Sequence, residues 1–234
     1  MKYCWLCLFF LLAGCGGEAG SLEEDEFARL RQRMVEAQLK DRDITDPVVL
    51  RVMGRVPRHL FVSGRLQEYA YDDHPLPIEE GQTISQPYIV AFMTQALQVG
   101  KGDTVLEIGT GSGYQAAVLA EICTRVYTIE IIPSLAESAR LRLEGMGYEN
   151  IEVRAEDGYF GWPEAAPFQG IMVTAAPDHI PPALVEQLAE GGRLVLPVGE
   201  DNQKLLRITR QGKETRIDTL LLVRFVPMTG KAQE

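Results

Sequence analysis

Residues 105–120 read VLEIGTGSGYQAAVLA: an apolar strand, three glycines alternating with small polar residues, then an apolar helical run. Strand, glycine turn and helix in that order are how α/β folds aim backbone N–H groups at a nucleotide. The pattern continues outward from this stretch. Short apolar strands are predicted at Thr104 to Ile108, Arg125 to Ile129, Ile151 to Arg154, Gly170 to Thr174 and Arg193 to Pro197. Helices are predicted between them at Tyr114 to Ile122, Ser134 to Gly145 and Pro182 to Ala189. Such alternation predicts an α/β fold with a doubly wound, mostly parallel sheet covered on both faces. Lys204 to Thr209 and Thr215 to Phe225 are β-rich and joined through Gln211-Gly212-Lys213, so the sheet is expected to end in an antiparallel hairpin.

Upstream, Phe27, Leu30, Met34 and Ala37 recur every three or four residues within 22–40, one apolar stripe on an otherwise charged helix. Asp46 before Pro47 reads as an N-cap with proline in the first turn, opening a helix through Val49, Val52 and Met53. From Gln67 to Tyr88, Pro75, Pro77, Gly81 and Pro87 interrupt any long element, so mostly loop is expected, and a long loop before a helix is often functional. The reading is one domain over 22–234: N-terminal helices and an acceptor loop to residue 100, a cofactor-binding core over 101–200, and C-terminal strands over 201–234.

With 46% hydrophobic and 24% charged residues among 234, the composition is that of a globular domain. A net charge of −10 and the lack of any long Lys/Arg block leave nucleic acid no electrostatic footprint.

The glycine loop departs from the dinucleotide fingerprint. Gly109-Thr110-Gly111-Ser112-Gly113 is GxGxG, with Tyr114 where the third glycine of GxGxxG belongs, so a pyrophosphate fits poorly. Glu107, just before the loop, would repel a phosphate and favour a cationic head. Glu130 ends the next strand, where such folds hold the hydroxyls of a ribose. A nucleoside with a cationic head and no pyrophosphate describes S-adenosylmethionine. Asp157-Gly158 follows the third strand and adds a further acid, either an acceptor for the adenine amino group or simply an Asx turn.

With these residues in place, the chain resembles the protein-L-isoaspartate O-methyltransferases. The likeness runs through VLEIGTGSGYQAAVLAEI, GQTISQPYIVAFMTQAL, VTAAPDHIPPALVEQLAEGGRLVLPVG and RFVPMT, covering roughly residues 22–229. The resemblance implies methyl transfer from S-adenosylmethionine to the free carboxylate of L-isoaspartyl residues in damaged proteins and peptides. The resulting ester closes to a succinimide that opens partly to normal aspartate. The rivals are a class I methyltransferase acting on a small carboxylic acid, and a binding module that keeps the fold without catalysis.

A carboxylate acceptor is already ionised at neutral pH and needs no general base. His59, His74 and His179 are accordingly read as dispersed surface or loop residues, without metal-ligand spacing, and no metal is expected. Neutral donors suit an anion that must lose its charge, because a Lys or Arg clamp would stabilise the ground state as well. Thr83 and Ser85 offer such donors, with Ile84 between them to wall off water. By resemblance Ser85 is the active-site residue, and otherwise it caps the helix opened by Pro87. Thr174, in TAAP, stands at the sheet edge where ligands bind, with room for a peptide backbone. The resemblance places Val198 along the substrate and Thr229 against the cofactor.

Residues 1–15 stand apart. One Lys precedes an apolar run from Tyr3 to Ala13, too short to span a bilayer, and Leu12-Ala13-Gly14-Cys15 resembles a lipobox. Lipid on Cys15, with residues 16–21 as a flexible tether, would anchor the domain outside the cytoplasm, whereas the family resemblance and the cofactor's supply favour the cytoplasm. Cys4 and Cys7 lie within the apolar run, which leaves Cys123 as a small core residue. A monomer is expected.

Overall fold

The computed structural model describes residues 18–233, so the lipobox and Cys15 lie outside the described residues. In chain order the elements begin with α1 (Glu18–Met34), α2 (Pro47–Met53), a small hairpin of β1 (Leu76–Pro77) and β2 (Thr83–Ile84), and α3 (Pro87–Leu97). The central part follows as β3 (Thr104–Ile108), α4 (Tyr114–Ala120), β4 (Arg125–Glu130), α5 (Pro133–Gly145) and β5 (Ile151–Ala155). The chain closes with β6 (Phe168–Val173), α6 (Pro182–Glu186), β7 (Leu188–Val198), β8 (Gln203–Gln211) and β9 (Glu214–Val223).

Seven strands form one sheet in the order β5-β4-β3-β6-β7-β8-β9. The first five run parallel, while β8 and β9 are antiparallel through the turn at Gly212, whose φ is +65°. After β3 the chain builds outward through β4 and β5, then returns to lay β6 on the other side of β3. That reversal opens a crevice beyond the C-terminal ends of β3 and β6, where ligands of open α/β sheets bind.

Val105, Leu106, Glu107 and Ile108 are all buried, as expected of a strand covered on both faces. Their side chains alternate: Val105 joins the core under the N-terminal helices and α4, while Leu106 and Ile108 join the opposite core with Trp162, Leu184 and Met228. Period two therefore sends Glu107 to the face that carries α3 and α4.

Residue-level differences from the sequence expectation have local causes. The first helix begins at Glu18, inside the stretch read as tether, and its last turn, Val35–Lys40, is π-helical. The wider turn rotates the stripe: Met34, Val35 and Leu39 are buried while Ala37 faces solvent. The 67–88 stretch is mostly loop, but it contains the β1–β2 hairpin, with Glu80 and Gly81 at φ +57° and +67°. Strand β7 begins at Leu188, earlier than expected, because Phe168 pairs with Leu188 ahead of a bulge before Gly170.

Asp46 caps α2 as its sequence predicts, accepting from Val48 N at 2.8 Å and Val49 N at 3.3 Å. Asp46→Ala should lower unfolding free energy by about 1 kcal/mol in urea titrations. Among the described residues, no helix is long and apolar enough to cross a membrane.

Candidate active site

The glycine loop is shaped by backbone and by close approach. Gly109 and Thr110 N–H both donate to Ile129 O, at 2.8 and 3.3 Å, which ties the loop to the end of β4. Gly109, Gly111 and Gly113 have φ of +95°, +51° and +87°, a region that side-chain-bearing residues rarely adopt. A Cβ on Gly109 would lie 2.4 Å from Thr174 Oγ1, and that hydroxyl donates to Gly109 O at 2.6 Å. Gly113 serves packing, since a Cβ there would press on Leu143 of α5 at 3.3 Å. Thr110 is likewise turned inward, its hydroxyl 2.6 Å from Thr128 Oγ1, while Ser112 Oγ accepts from Tyr114 N at 3.3 Å.

A cleft opens over this loop, lined by Gly109, Gly111, Glu130, Gly158, Thr174 and Thr229. Glu130 stands at the tip of β4 and accepts from Gly111 N at 2.8 Å and Ile132 N at 3.1 Å, one carboxylate oxygen each. Each oxygen keeps a lone pair for a ligand hydroxyl. Gly158 must be glycine: a Cβ would meet Ile108 Cγ2 at 2.3 Å. Asp157 makes the Asx turn, accepting from Tyr159 N at 2.9 Å, and its other oxygen accepts from Lys231 N at 2.8 Å. Its structural role is thus filled by backbone, and it ties the C-terminal tail to the rim of the cleft.

Glu107 is fully buried and lines a smaller cavity beside the cleft, with Thr83, Ser85, Gly109 and Thr174 also in its walls. Thr128 donates to its Oε2 at 2.5 Å, while Oε1 has no hydrogen-bond partner. Burial pushes its pKa from 4.5 to about 8, against the Thr128 hydrogen bond and with help from the charge of Glu130. The folded state therefore holds this proton longer than the unfolded chain. Its stabilising effect is complete below pH 4.5 and is lost as pH climbs toward 8. Glu107→Gln, which does not titrate, should melt near the parent at pH 5 and about 5 °C above it at pH 8.5 by calorimetry.

Next to the cleft lies an open groove of about 790 Å³, walled by the β2 end, the start of α3 and the segment after β9. Thr83, Thr174, Val226 and Pro227 line both cleft and groove, so the two hollows share a wall. Ser85 faces the groove and the smaller cavity. The N-cap position of α3 is Gln86 rather than Ser85, and no side chain caps it. The Ser85 hydroxyl makes no hydrogen bond among the described residues. Its capping role is thereby removed and a free donor remains. Ile84 is buried against the smaller cavity. Val198 is partly buried in the second core and lines none of the three hollows.

Two features escape sequence reasoning. Val226, Pro227 and Met228 reach the site because the tail is laced to TAAP: Ala176 N donates to Val226 O at 2.8 Å and Met228 N to Ala176 O at 2.7 Å. Apolar side chains without chemistry carry no local signal of this. His59, expected at the surface or in a loop, is buried. It stacks on Phe27 at 4.0 Å between centroids and bonds Tyr71 OH through Nδ1 at 2.7 Å. These contacts tie it to the docking of α1, it lines neither cleft, groove nor smaller cavity, and desolvation lowers its pKa. Cys123 is buried and free, its thiol pushed up to about 12 by burial. Among the described residues no cluster of His, Cys, Asp or Glu could hold a metal.

The family model described as Protein-L-isoaspartate(D-aspartate) O-methyltransferase matches residues 29–233. A protein-L-isoaspartate O-methyltransferase of Opitutus terrae is 54% identical over 91% of this chain and 92% of its own length. Protein-L-isoaspartate O-methyltransferase 2 of Syntrophobacter fumaroxidans is 50% identical over 97% of this chain and 96% of its own, a match that extends into residues 1–15. Among solved structures, a protein-L-isoaspartate O-methyltransferase superposes with TM-score 0.76 at 28% identity, over 89% of this chain and 66% of that one. A putative one from Plasmodium falciparum, in complex with S-adenosyl-L-homocysteine, gives 0.74 at 26% identity over 85% and 98%.

Proposed function

Because this chain belongs to the protein-L-isoaspartate(D-aspartate) O-methyltransferase family, and so esterifies the free carboxylate of L-isoaspartyl residues with a methyl from S-adenosylmethionine, we propose that transfer takes place across the wall shared by cleft and groove. That shared wall is the observation that carries the reading.

The cleft suits the donor. Glu130 has lone pairs for two ribose hydroxyls, Ile108 and Ile131 give the cleft apolar walls for a flat base, with Gly158 packed close on Ile108, and Gly109 and Gly111 let backbone approach closely. Glu107, with its unpaired Oε1, is proposed to take the cationic amino group from below the loop, giving up the proton that burial otherwise holds on it. Asp157 is proposed as rim support and as acceptor for the adenine amino group through its remaining lone pairs. Thr110, Ser112 and Gly113 hold the loop's shape, and Thr229 closes the cleft from the tail. When bound, S-adenosylmethionine supplies a methyl group on a positively charged sulfur.

The groove's residues do the rest. Thr83 and Ser85 donate to the acceptor carboxylate and aim one oxygen across the wall, Thr174 holds the loop on the far side, and Ile84 excludes water. The carboxylate oxygen would form the new O–C bond with its own lone pair as the methyl's C–S bond breaks and that electron pair stays on sulfur, leaving neutral S-adenosylhomocysteine, so no proton has to be moved at that step. Positioning and desolvation of the anion are the work left to the protein. An isoaspartyl peptide incubated with methyl-labelled cofactor should take up label while its aspartyl twin does not, and equal labelling overturns the assignment.

We further propose that Cys15 carries lipid and anchors the chain outside the cytoplasm, a reading supported by the lipobox-like Leu12-Ala13-Gly14-Cys15 and opposed by the cytoplasmic supply of the cofactor. Cells fed a labelled fatty acid should yield lipidated Cys15. An unlabelled protein whose N-terminus maps at or beyond Leu22 would place it in the cytoplasm instead.

A further inference from the structure

Among the described residues, Arg224 is the sole charged side chain lining the groove, and nothing in the transfer step uses it. Its backbone is held on both sides: Val223 pairs with Gln203, whose side-chain amide donates to Phe225 O at 3.0 Å and accepts from Phe225 N at 2.5 Å. The residue is exposed, and among the described residues its guanidinium makes no hydrogen bond or ion pair. Asp73, bonded to the groove residue Gln86 through its Nε2 at 2.8 Å, is already paired with Arg42. A free cation on a fixed stem therefore faces a groove whose other polar walls, Thr83, Ser85, Gln86 and Thr174, are uncharged, in a chain of net charge −10.

Arg224 lines only the groove, not the cleft or the smaller cavity, whereas Thr83 and Thr174 line all three. It stands away from the wall that the methyl group crosses. We propose that Arg224 is a specificity residue that pairs with a carboxylate of a residue flanking the isoaspartyl site, so that the enzyme favours damaged segments with an acidic neighbour. The inference rests on the groove being the peptide site. An acidic segment meets repulsion from the protein as a whole, and one local cation sets which part of it enters the groove and in which register. Asparagine and aspartate sites beside Glu or Asp are the substrates this arrangement favours.

The test compares isoaspartyl hexapeptides carrying Glu or Lys at each flanking position in turn, and reads the ratio of their kcat/KM values, which cancels any general loss. At the position facing Arg224, the parent enzyme should prefer Glu over Lys about fivefold or more at low salt, with the preference shrinking in 0.5 M salt. Arg224→Gln should bring the ratio to about one, and Arg224→Glu should invert it. A ratio unchanged by Arg224→Gln overturns the proposal. So does an equal loss on every peptide, which would put Arg224 on the reacting carboxylate. Ile89→Trp narrows the same groove and should raise KM for a neutral peptide. If it leaves KM unchanged, the groove itself is not the peptide site.

Discussion

Valine in place of Gly109 should abolish measurable cofactor binding, with the affinity for S-adenosylhomocysteine falling at least about 100-fold in calorimetric titration. Two penalties coincide there. The φ of +95° is a region that a β-branched residue avoids, and a Cβ would sit 2.4 Å from Thr174 Oγ1. The hydroxyl cannot simply swing aside, because it donates to Gly109 O at 2.6 Å and lines the wall between cleft and groove. Either the loop shifts off its place over Ile108 or β6 moves away from β3, and both spoil the cleft. Two milder variants separate strain from clash. Gly109→Ala with Thr174→Ala removes the collision but keeps the φ penalty, and should bind better than Gly109→Ala alone. Gly212→Ala at φ +65° in the hairpin, with open space around it, should cost about 1 kcal/mol of stability and leave cofactor affinity unchanged. If Gly109→Val binds S-adenosylhomocysteine like the parent, the cleft over the loop is not the cofactor site.

Ser85→Ala should lower kcat about 100-fold on an isoaspartyl peptide while leaving cofactor affinity intact. The magnitude is that of losing one preorganised donor to a reacting oxygen. The split follows from geometry: Ser85 lines the groove and the smaller cavity, but not the cleft. Among the described residues its hydroxyl makes no hydrogen bond and does not cap α3, so its removal breaks no internal hydrogen bond there and stability should be unchanged. Ser85→Thr should recover part of the rate, since it keeps the hydroxyl and adds only a methyl group. A kcat within twofold of the parent for Ser85→Ala would mean that Thr83 and backbone N–H groups hold the carboxylate without it.

Glu107 shows how far local reading reaches. Its charge and its place before the loop point to a cationic ligand head. The alternation of β3, however, sends the side chain to the face of α3 and α4, into a cavity below the loop instead of the cleft above it. Its raised pKa then comes from burial, which sequence position does not reveal. Asp157 is a similar case: the Asx turn with Tyr159 N is visible in the residue order, but the bond from Lys231 N arrives from a tail more than seventy residues later. His59 reads as an ordinary loop residue until Phe27 and Tyr71 close on it from two other elements.

Local residue order is enough to specify the strand, the glycine turn and the helix of residues 105–120, the Asp46 cap and the Gly212 hairpin. Each is set by forces acting within a few residues: positive φ open mainly to glycine, a carboxylate reaching N–H groups two and three residues on, and alternation along a strand. That Thr83 and Ser85 meet Thr174, Val226 and Pro227 around one groove is a product of the assembled fold. That meeting depends on β6 returning beside β3 and on the tail lacing to Ala176, both fixed by how the sheet buries its two faces and not by any spacing along the chain.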